Sequence, residues 1–296
     1  MAQRKIVWQS KTILLLIVPF ASAYTLLQAR WWANQMPAVA IWTLGLSLLL
    51  GIIVLWLRAA TPAAAFTGVV ITASLIFSTV TVPYQPWHTA LIPTLGVSLL
   101  AYIATRFGRM KKEKLGTAEK RRGREASQIA ANLGIAMLVS NDFFQSALAN
   151  TGLASRLAAA PGIFFVAALA ALAEAAADTV SSEIGQVLGG RPRMITTMRS
   201  ADPGTDGAIS LAGTLAGIAA AALIAASGAW AVGGGVPAFS IACAAAVFGL
   251  LFDSLLGATF EPRGSLNNDA VNFLSTAAAS AFALGILAIL PPIGVR

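Results

Sequence analysis

The run GIFFVAALAALAEAAADTVSSEIGQVL, residues 162–188, is apolar over a length that crosses a membrane as a helix. Its charged residues are all acidic and lie in its second half: Glu174, Asp178 and Glu183. Glu174 and Asp178 are four residues apart and share a helical face, which Ser182 continues. A carboxylate inside a span costs about 2.5–3.5 kcal/mol, so it usually faces a partner or a water-filled cavity. The run therefore predicts a transmembrane helix that carries polar chemistry toward one end.

Similar hydrophobic stretches recur along the whole chain. Hydrophobic residues make up 57% of the sequence and charged residues 11%, against about a quarter in soluble domains, and the mean hydropathy is +0.76. The nine predicted spans are 12–28, 37–57, 62–82, 89–106, 127–149, 162–188, 207–230, 236–258 and 271–292. The segment 127–149 fits this pattern least well, because Asn132, Asn141 and Asp142 interrupt it. The alternation typical of a membrane β-barrel is absent, so we expect an all-α, polytopic helical membrane protein with about nine transmembrane helices.

The basic residues predict the orientation of this bundle, because cytoplasmic loops carry an excess of Lys and Arg. With the N-terminus inside, the loops after the even-numbered spans are cytoplasmic. They hold Arg58, the basic loop 106–126, Arg191, Arg193, Arg199 and Arg263. The outward loops hold only Arg30 and Arg156. We expect a multi-pass protein of a bacterial-type inner membrane, or its equivalent, with a cytoplasmic N-terminus. The net charge of +8 is then a topology signal, and no nucleic-acid partner is expected.

The scarcity of cysteine and histidine excludes several kinds of site. The chain has one cysteine, Cys243, and one histidine, His88. An intramolecular disulfide and a metal site rich in His or Cys are therefore excluded. Any metal would be a hard cation held by oxygen ligands.

The acidic residues are concentrated in the second half of the chain. None of the twelve precedes residue 113, and nine fall between 142 and 269. Asp253 and Glu261 lie on one helical row, and NNDAVN (267–272) places two asparagines on one face at the start of the last helix. One interpretation is a set of helix caps and side chains reaching the membrane surface. The other is a Mg²⁺ site that retains water and phosphate oxygens as further ligands. Its predicted ligands are Asp178, Glu183, Asp253 and Asp269.

The loop after residue 188 has the composition of a phosphate cradle. Glycines at 189, 190, 204 and 207 permit a backbone that turns its amides toward an anion. PGTDGAIS (203–210) leads into the next helix, whose N-terminus favours anions. The predicted nucleotide- and phosphate-binding residues here are Arg191, Arg193, Thr196, Thr197, Arg199, Gly204, Thr205, Gly207 and Ser210. No Walker pattern and no protein-kinase signature set occurs.

The basic loop has two interpretations. It either binds anionic lipid headgroups loosely or forms a phosphate-binding arm over the site. Candidates for the arm are Lys111, Lys112, Lys114, Arg121, Arg122 and Arg124, which the sequence does not rank.

Several blocks together resemble the membrane family that includes plant phytyl-phosphate kinase and transmembrane protein nineteen. They are GREASQIAANLG (123–134), DTVSSEIG (178–185), RPRMITT (191–197), PGTDGAISLAGT (203–214), DSLLGATFE (253–261) and NNDAVN (267–272). Their order agrees with the family over about residues 60–292. The matching positions are Asp178, Ser182, Glu183, Thr196, Thr197, Gly204, Thr205, Gly207, Ser210, Asp253, Asn268 and Asn272. The resemblance implies that Ser182, Asn268 and Asn272 also bind nucleotide or phosphate. Ser181 and Glu261 depart from the family pattern, where Ala and Gln are common.

The resemblance implies a Mg²⁺-dependent membrane kinase that phosphorylates an isoprenoid monophosphate such as phytyl or geranylgeranyl phosphate, with CTP as the favoured donor. Asp178, Glu183 and Asp253 would hold Mg²⁺, and the loop arginines would clamp the triphosphate. The prenyl tail would lie in the bilayer between spans. Residues 1–60 are expected to be two helices outside the family match, and 61–296 the catalytic domain. A homodimer is compatible with the sequence.

Three alternatives remain open at this stage. One is a polyprenol kinase, and another is a cytidylyltransferase that forms a CDP-lipid. The third is a transporter, which usually has ion sites near the bilayer midplane and internal repeats. The acids here cluster toward one membrane side, and no repeat is evident.

Overall fold

The computed structural model of the chain describes residues 7–118, 123–149 and 162–290, and the side chains of 148 and 149 are not described. The α-helices of this part are α1 (Val7–Gln35), α2 (Pro37–Trp56), α3 (Pro62–Phe77), α4 (Leu91–Arg106), α5 (Arg109–Leu115), α6 (Ala126–Ser140), α7 (Asp142–Ala149), α8 (Gly162–Leu188), α9 (Leu211–Ala231), α10 (Gly235–Thr259) and α11 (Asn268–Ile289). Two short strands, β1 (Arg193–Met194) and β2 (Ala208–Ile209), pair antiparallel in the loop before α9. The predicted all-α membrane architecture is confirmed.

Helix α8 lies at the centre of the bundle. It packs against α4, α6, α9, α10 and α11, and its residues from Ile163 to Ala177 are all buried. A helix that is apolar all round is covered either by protein neighbours or by lipid. In α8 the neighbouring helices provide this cover, since 94% of its most apolar window is buried inside the bundle.

Six of the described helices are long and apolar enough to cross a membrane: α1, α2, α8, α9, α10 and α11. The pair α4 and α5, bent by 65°, would add a seventh. Helices α3 and α6 are apolar but shorter, at 16 and 15 residues. The chain is thus a multi-pass membrane protein, and the expected count of nine spans is not confirmed.

Local polar contacts shorten three of the predicted segments. Helix α3 ends at Phe77, where the hydroxyls of Ser78 and Thr79 donate to carbonyls of the preceding turn. The interrupted segment 127–149 divides into α6 and α7 at Asn141, whose side chain accepts from the backbone N–H of Phe143. The seventh segment begins at Leu211 instead of 207 because residues 208–209 pair with β1.

Helices α8 and α9 approach closely through glycines. A Cβ at Gly217 would lie 2.8 Å from the carbonyl oxygen of Ala177 and 2.9 Å from Ser181 Cβ. One turn earlier, a Cβ at Gly213 would lie 2.7 Å from the carbonyl oxygen of Ser181. Small residues four apart allow such contact between membrane helices, where van der Waals packing drives association.

Polar contacts gather the helix ends on one side of the bundle. Gln9 at the start of α1 donates to the carbonyl of Ser265 and accepts from the N–H of Asn267, in the loop before α11. The loop before α3 pairs with the segment before α6 through Thr61 and Arg124. Lys111 of α5 donates to the carbonyl of Val187 near the end of α8, at 2.7 Å. This end, which contains the described part of the basic loop, is called the loop end.

We expect Gly217→Val to lower the free energy of unfolding by about 1–3 kcal/mol, because the added methyl groups force α9 away from α8. Thermal unfolding in detergent measures the change. Gly285→Val in α11 is the control, since a Cβ there meets no atom within 4 Å, and it should change stability by less than about 0.5 kcal/mol. Equal losses in the two variants would contradict the close approach.

Candidate active site

A polar cavity of about 260 Å³ opens at the loop end of the bundle. Its lining comes from the start of α6, the second half of α8, the end of α10, the start of α11 and the loop that precedes α9. The lining includes these residues predicted from the sequence: Asp178, Ser182, Glu183, Gly204, Thr205, Gly207, Ser210, Asp253, Asn268 and Asn272. Tertiary packing therefore brings the separate sequence blocks into one place.

Two carboxyl groups from different helices meet in this cavity. Asp178 of α8 and Asp253 of α10 lie close enough for their side chains to interact. Ser275 of α11 lies near both Asp253 and Glu174, and its hydroxyl donates to the carbonyl of Asn272 at 3.0 Å. The Oδ2 atom of Asp253 is buried and has no hydrogen-bond partner among the described residues. A buried carboxylate oxygen without a partner is costly, so this atom is suited to a ligand that would complete its contacts.

Glu174 lies one helical turn below this pair and is fully buried. A Cβ at Gly249 of α10 would lie 2.6 Å from Glu174 Cγ, so the glycine provides the space that the glutamate side chain occupies. Glu174 does not line the cavity. It forms the base beneath the carboxyl pair.

The wall opposite the carboxyl pair is the glycine-containing loop and the N-terminus of α9. Ser210 caps α9, and its hydroxyl accepts from the N–H of Gly213 at 3.1 Å. Gly207 has φ +73°, and a Cβ there would lie 2.2 Å from the backbone nitrogen of Ala258 in α10. This close contact presses the loop against the end of α10. The backbone amides of the loop and the first turn of α9 together suit an anion.

Helix α6 contributes a basic and an amide side chain. The guanidinium of Arg124, just before α6, donates to Thr179 Oγ1 at 3.4 Å and interacts electrostatically with Asp178. Asn132 Oδ1 accepts from Asn272 Nδ2 at 2.9 Å. The cavity therefore has one cationic side beside the carboxyl pair.

Two of the predicted metal ligands have partners within the chain. Glu183 lines the cavity, but its Oε2 accepts from the ammonium of Lys112 at 2.6 Å. Lys112 is fully buried and also donates to the carbonyls of Ala104 and Thr105 at the end of α4. Asp269 lies outside the cavity lining and accepts from the hydroxyl of Ser10 at 2.6 Å. Asp178 and Asp253 are thus the predicted ligands that face each other across the site.

The exposed part of the loop lies away from the cavity lining. Five predicted phosphate-binding residues are in this group: Arg191, Arg193, Thr196, Thr197 and Arg199. Arg193 donates to the carbonyl of Met198 at 3.1 Å, and Thr197 Oγ1 accepts from the N–H of Arg199 at 3.4 Å. Contact of these side chains with a nucleotide stays a prediction.

Sequence reasoning did not rank Arg124 and passed over Asn132, Thr179 and Asp206, all of which line the cavity. Arg124 and Asn132 belong to the block GREASQIAANLG, which resembles the family. That resemblance is the signal in the sequence that could have identified them as site residues. Of the other arm candidates, Lys112 pairs with Glu183, and Arg121 and Arg122 lie outside the described residues.

The carboxyl pair fits a metal ion that takes few protein ligands. Within residues 7–118, 123–149 and 162–290, no group of three or more His, Cys, Asp or Glu side chains is arranged to hold a metal. Mg²⁺ is usually held by one or two carboxylates, with water and substrate phosphates as its other ligands. Asp178 and Asp253, with the unpartnered oxygen of Asp253, match that requirement.

Outside the spans, two acids near the cavity mouth have raised pKa values. Burial raises the pKa of Glu261 to about 8, and the neighbouring charges of Asp206 and Asp178 add to the shift. Burial also raises the pKa of Asp206. The like charges around this site resist further ionisation, a condition that a bound cation would relieve.

Comparison with known proteins gives a family match and three relatives. The model of the family described as integral membrane protein DUF92 matches residues 45–280. Protein VTE6 of Arabidopsis thaliana chloroplasts is 32% identical over 184 residues, which are 61% of this chain and 53% of that protein. An uncharacterized membrane protein of Methanocaldococcus jannaschii is 43% identical over 108 residues, 36% of this chain and 45% of that protein.

The third relative, an uncharacterized membrane protein of Synechocystis, is 31% identical over 208 residues, 68% of this chain and 74% of that protein. The chain spans about half the length of the Arabidopsis and Methanocaldococcus relatives. No solved structure matches. The family resemblance drawn from the sequence blocks is confirmed.

We expect Lys112→Met to lower the free energy of unfolding by about 3 kcal/mol, because it leaves the Glu183 carboxylate without its buried partner. The double variant Lys112→Met/Glu183→Gln should recover most of this loss. Glu113→Gln, which removes an exposed ion pair with Arg109, is the control and should change stability by less than about 0.5 kcal/mol. Thermal unfolding measures these changes. If the double variant is no more stable than Lys112→Met, the pairing of Lys112 with Glu183 is contradicted.

The raised pKa of Glu261 predicts a pH-dependent stability. Its folded pKa of about 8 exceeds the ordinary value of 4.5, so the folded protein binds the extra proton between these values and loses stability as pH rises through the window. Glu261→Gln should flatten this part of the Tm profile measured in EDTA, and it should match the wild type below pH 4.5. Asp202→Asn, at an exposed loop position, should leave the profile unchanged. Parallel profiles for wild type and Glu261→Gln would refute the assignment.

Proposed function

Since this chain belongs to the DUF92 family of integral membrane proteins, we propose that it is a membrane kinase for an isoprenoid monophosphate. It transfers a phosphoryl group from a nucleoside triphosphate, with CTP favoured, and gives the isoprenoid diphosphate. Phytyl and geranylgeranyl phosphate are the favoured acceptors. The observation that carries the proposal is the carboxyl pair of Asp178 and Asp253, which faces a glycine-containing loop and a helix N-terminus across one polar cavity.

The cavity offers the groups that phosphoryl transfer needs, since this reaction depends mainly on positioning and charge neutralisation. The loop amides around Gly204 and Gly207, with the first turn of α9, would bind triphosphate oxygens. Arg124 would contribute a fixed cationic fork near the transferred group. Contacts from Arg191, Arg193 and Arg199 would require the loop to fold over the nucleotide.

Asp178 and Asp253 would hold Mg²⁺, which when bound supplies neutralisation of the phosphate charge. Glu183 and Asp269 are the further ligands proposed from the sequence, although each has a partner within the chain. The carboxyl pair also orients the site, because its two members come from different packed helices. Ser275 of α11 is a neighbour of Asp253 at this site.

The chemical step moves one phosphoryl group. An oxygen of the acceptor monophosphate forms a bond to the γ-phosphorus as the bond from that phosphorus to the bridging oxygen breaks, and the nucleoside diphosphate leaves. The acceptor oxygen is already anionic, so no strong general base is required. An alcohol acceptor would need one, and Asp178 or Asp253 would then have to accept its proton.

The proposal places the active site on the cytoplasmic side. It lies at the loop end of the bundle. The basic loop 106–126 connects helices at this end, and the loop between α8 and α9 carries Arg191, Arg193 and Arg199. The excess of basic residues there supports this orientation. The partners are then a nucleoside triphosphate, the lipid phosphate and the surrounding bilayer.

We expect Asp178→Asn and Asp253→Asn each to lower diphosphate formation by about a hundredfold or more, because each removes charge that positions the cation and phosphates. Purified protein in nanodiscs, geranylgeranyl monophosphate, CTP and Mg²⁺ provide the assay, with products resolved by mass spectrometry. Asp202→Asn should retain the wild-type rate, and thermal unfolding should show that all variants are folded. Full activity in Asp178→Asn would overturn the proposed site.

Product analysis, together with a transport measurement, separates the kinase from the alternative functions. Formation of a CDP-lipid would establish a cytidylyltransferase, and phosphorylation of the free polyprenol alone would establish a polyprenol kinase. Flux of substrate across proteoliposomes without nucleotide, unaffected by Asp178→Asn, would establish a transporter instead. Diphosphate from the monophosphate supports the kinase.

A further inference from the structure

A second cavity, of about 120 Å³, lies beside the polar one. It is formed by α2, α3, α4, α6 and α8 and is called the apolar cavity. Small residues leave its space open, among them Gly51, Ala65, Gly68 and Ala101. Its lining is otherwise largely aliphatic, from side chains such as Leu50, Val54, Val69, Val97 and Leu133. Its chemistry therefore suits a hydrocarbon chain.

Arginines line this cavity where its helices reach the loop end. Arg58 follows α2, Arg106 ends α4, Arg109 begins α5, and Arg124 precedes α6. The guanidinium of Arg106 lies 4.9 Å from the centre of the Tyr102 ring and donates to the carbonyl of Leu57 at 2.9 Å. Guanidinium groups next to an apolar chamber match a lipid with a phosphate head.

A close backbone contact holds Arg124 in position. Its N–H donates to the carbonyl of Ala59, and its carbonyl accepts from the N–H of Thr61, both at 3.0 Å. The preceding Gly123 has φ +82°, and a Cβ there would lie 2.3 Å from the carbonyl carbon of Ala59. The segment before α6 is thereby attached to the loop between α2 and α3.

The two cavities share one wall. Arg124, Asn132 and Thr179 line both of them. A phosphate bound at Arg124 would thus face the carboxyl pair on one side, while a tail attached to it would lie among aliphatic side chains on the other. The bilayer-facing sides of the same helices are apolar, as Ile53 and Ile103 are 41% and 53% exposed.

We propose that the apolar cavity binds the first part of the isoprenoid tail of the acceptor, with the lipid monophosphate held by Arg124 and Arg58. This inference rests on the proposed function and extends it to the lipid-binding residues. The remaining tail continues between α2 and α4 into the bilayer. The space beside Gly68 then limits which lipids bind.

Substitution at Gly68 tests this assignment because a Cβ there meets no atom within 4 Å. Gly68→Phe adds a ring to the cavity, and its Cβ meets no neighbouring atom within 4 Å. Gly45→Phe in α2 is the matched control, since a Cβ at Gly45 also meets no atom within 4 Å and Gly45 does not line the apolar cavity. Gly68→Leu serves as the second variant if the phenylalanine variant fails to fold.

The readout is equilibrium binding of radiolabelled geranylgeranyl monophosphate to the full chain in nanodiscs, without nucleotide. We expect Gly68→Phe to weaken binding about tenfold or more, while Gly45→Phe binds like the wild type. Arg58→Gln should weaken binding of the monophosphate about tenfold and leave binding of geranylgeraniol unchanged. Wild-type affinity in Gly68→Phe, or equal competition by dioleoyl phosphatidate, would overturn the assignment.

This binding assay is independent of catalysis. A protein that binds the monophosphate with these dependences but forms no diphosphate would refute the proposed kinase and leave the lipid site standing. A protein that forms diphosphate equally well in wild type and Gly68→Phe, with equal binding, would refute the lipid site alone.

Discussion

The facing carboxyl groups of Asp178 and Asp253 impose the constraint on which the rest of the structure depends. Each lies on an apolar helix of a membrane bundle, where an isolated charge is costly. The two are tolerated because the ends of α8 and α10 meet at a polar cavity, with Ser275 and Arg124 as neighbours. Burying the rest of α8 on every side then fixes the helices around it.

Close packing makes this arrangement rigid where the chemistry would occur. Gly217 brings α9 against α8, and Gly207 brings the loop against α10. The anion-binding end of α9 is therefore held at the cavity beside the carboxyl pair. The ion pair between Lys112 and Glu183 attaches the start of the basic loop to α8. A site that works by positioning and charge neutralisation gains from such fixed elements.

The two cavities divide the proposed substrates by chemistry. In the proposed arrangement the triphosphate and metal would bind in the polar cavity and the lipid tail in the apolar one, and Arg124 lines both cavities. This division explains how a membrane enzyme would join a water-soluble donor to a lipid acceptor. The donor would approach from the loop end, and the lipid would approach between α2 and α4. A midplane transport site would not require these two separate environments.

The sequence by itself determined the helical membrane class, the order of the apolar segments and the blocks that supply the cavity, because hydropathy and helical spacing are local properties. Only the tertiary structure decided which carboxylates meet. Asp178 and Asp253 are 75 residues apart in sequence yet face each other, whereas Glu183 pairs with Lys112 instead. The tertiary structure also places Arg124 in the lining of the polar cavity, whereas the sequence did not distinguish it from the other basic residues of the loop. Such pairings depend on how helices pack, and helix packing is set by long-range contacts that no local pattern records.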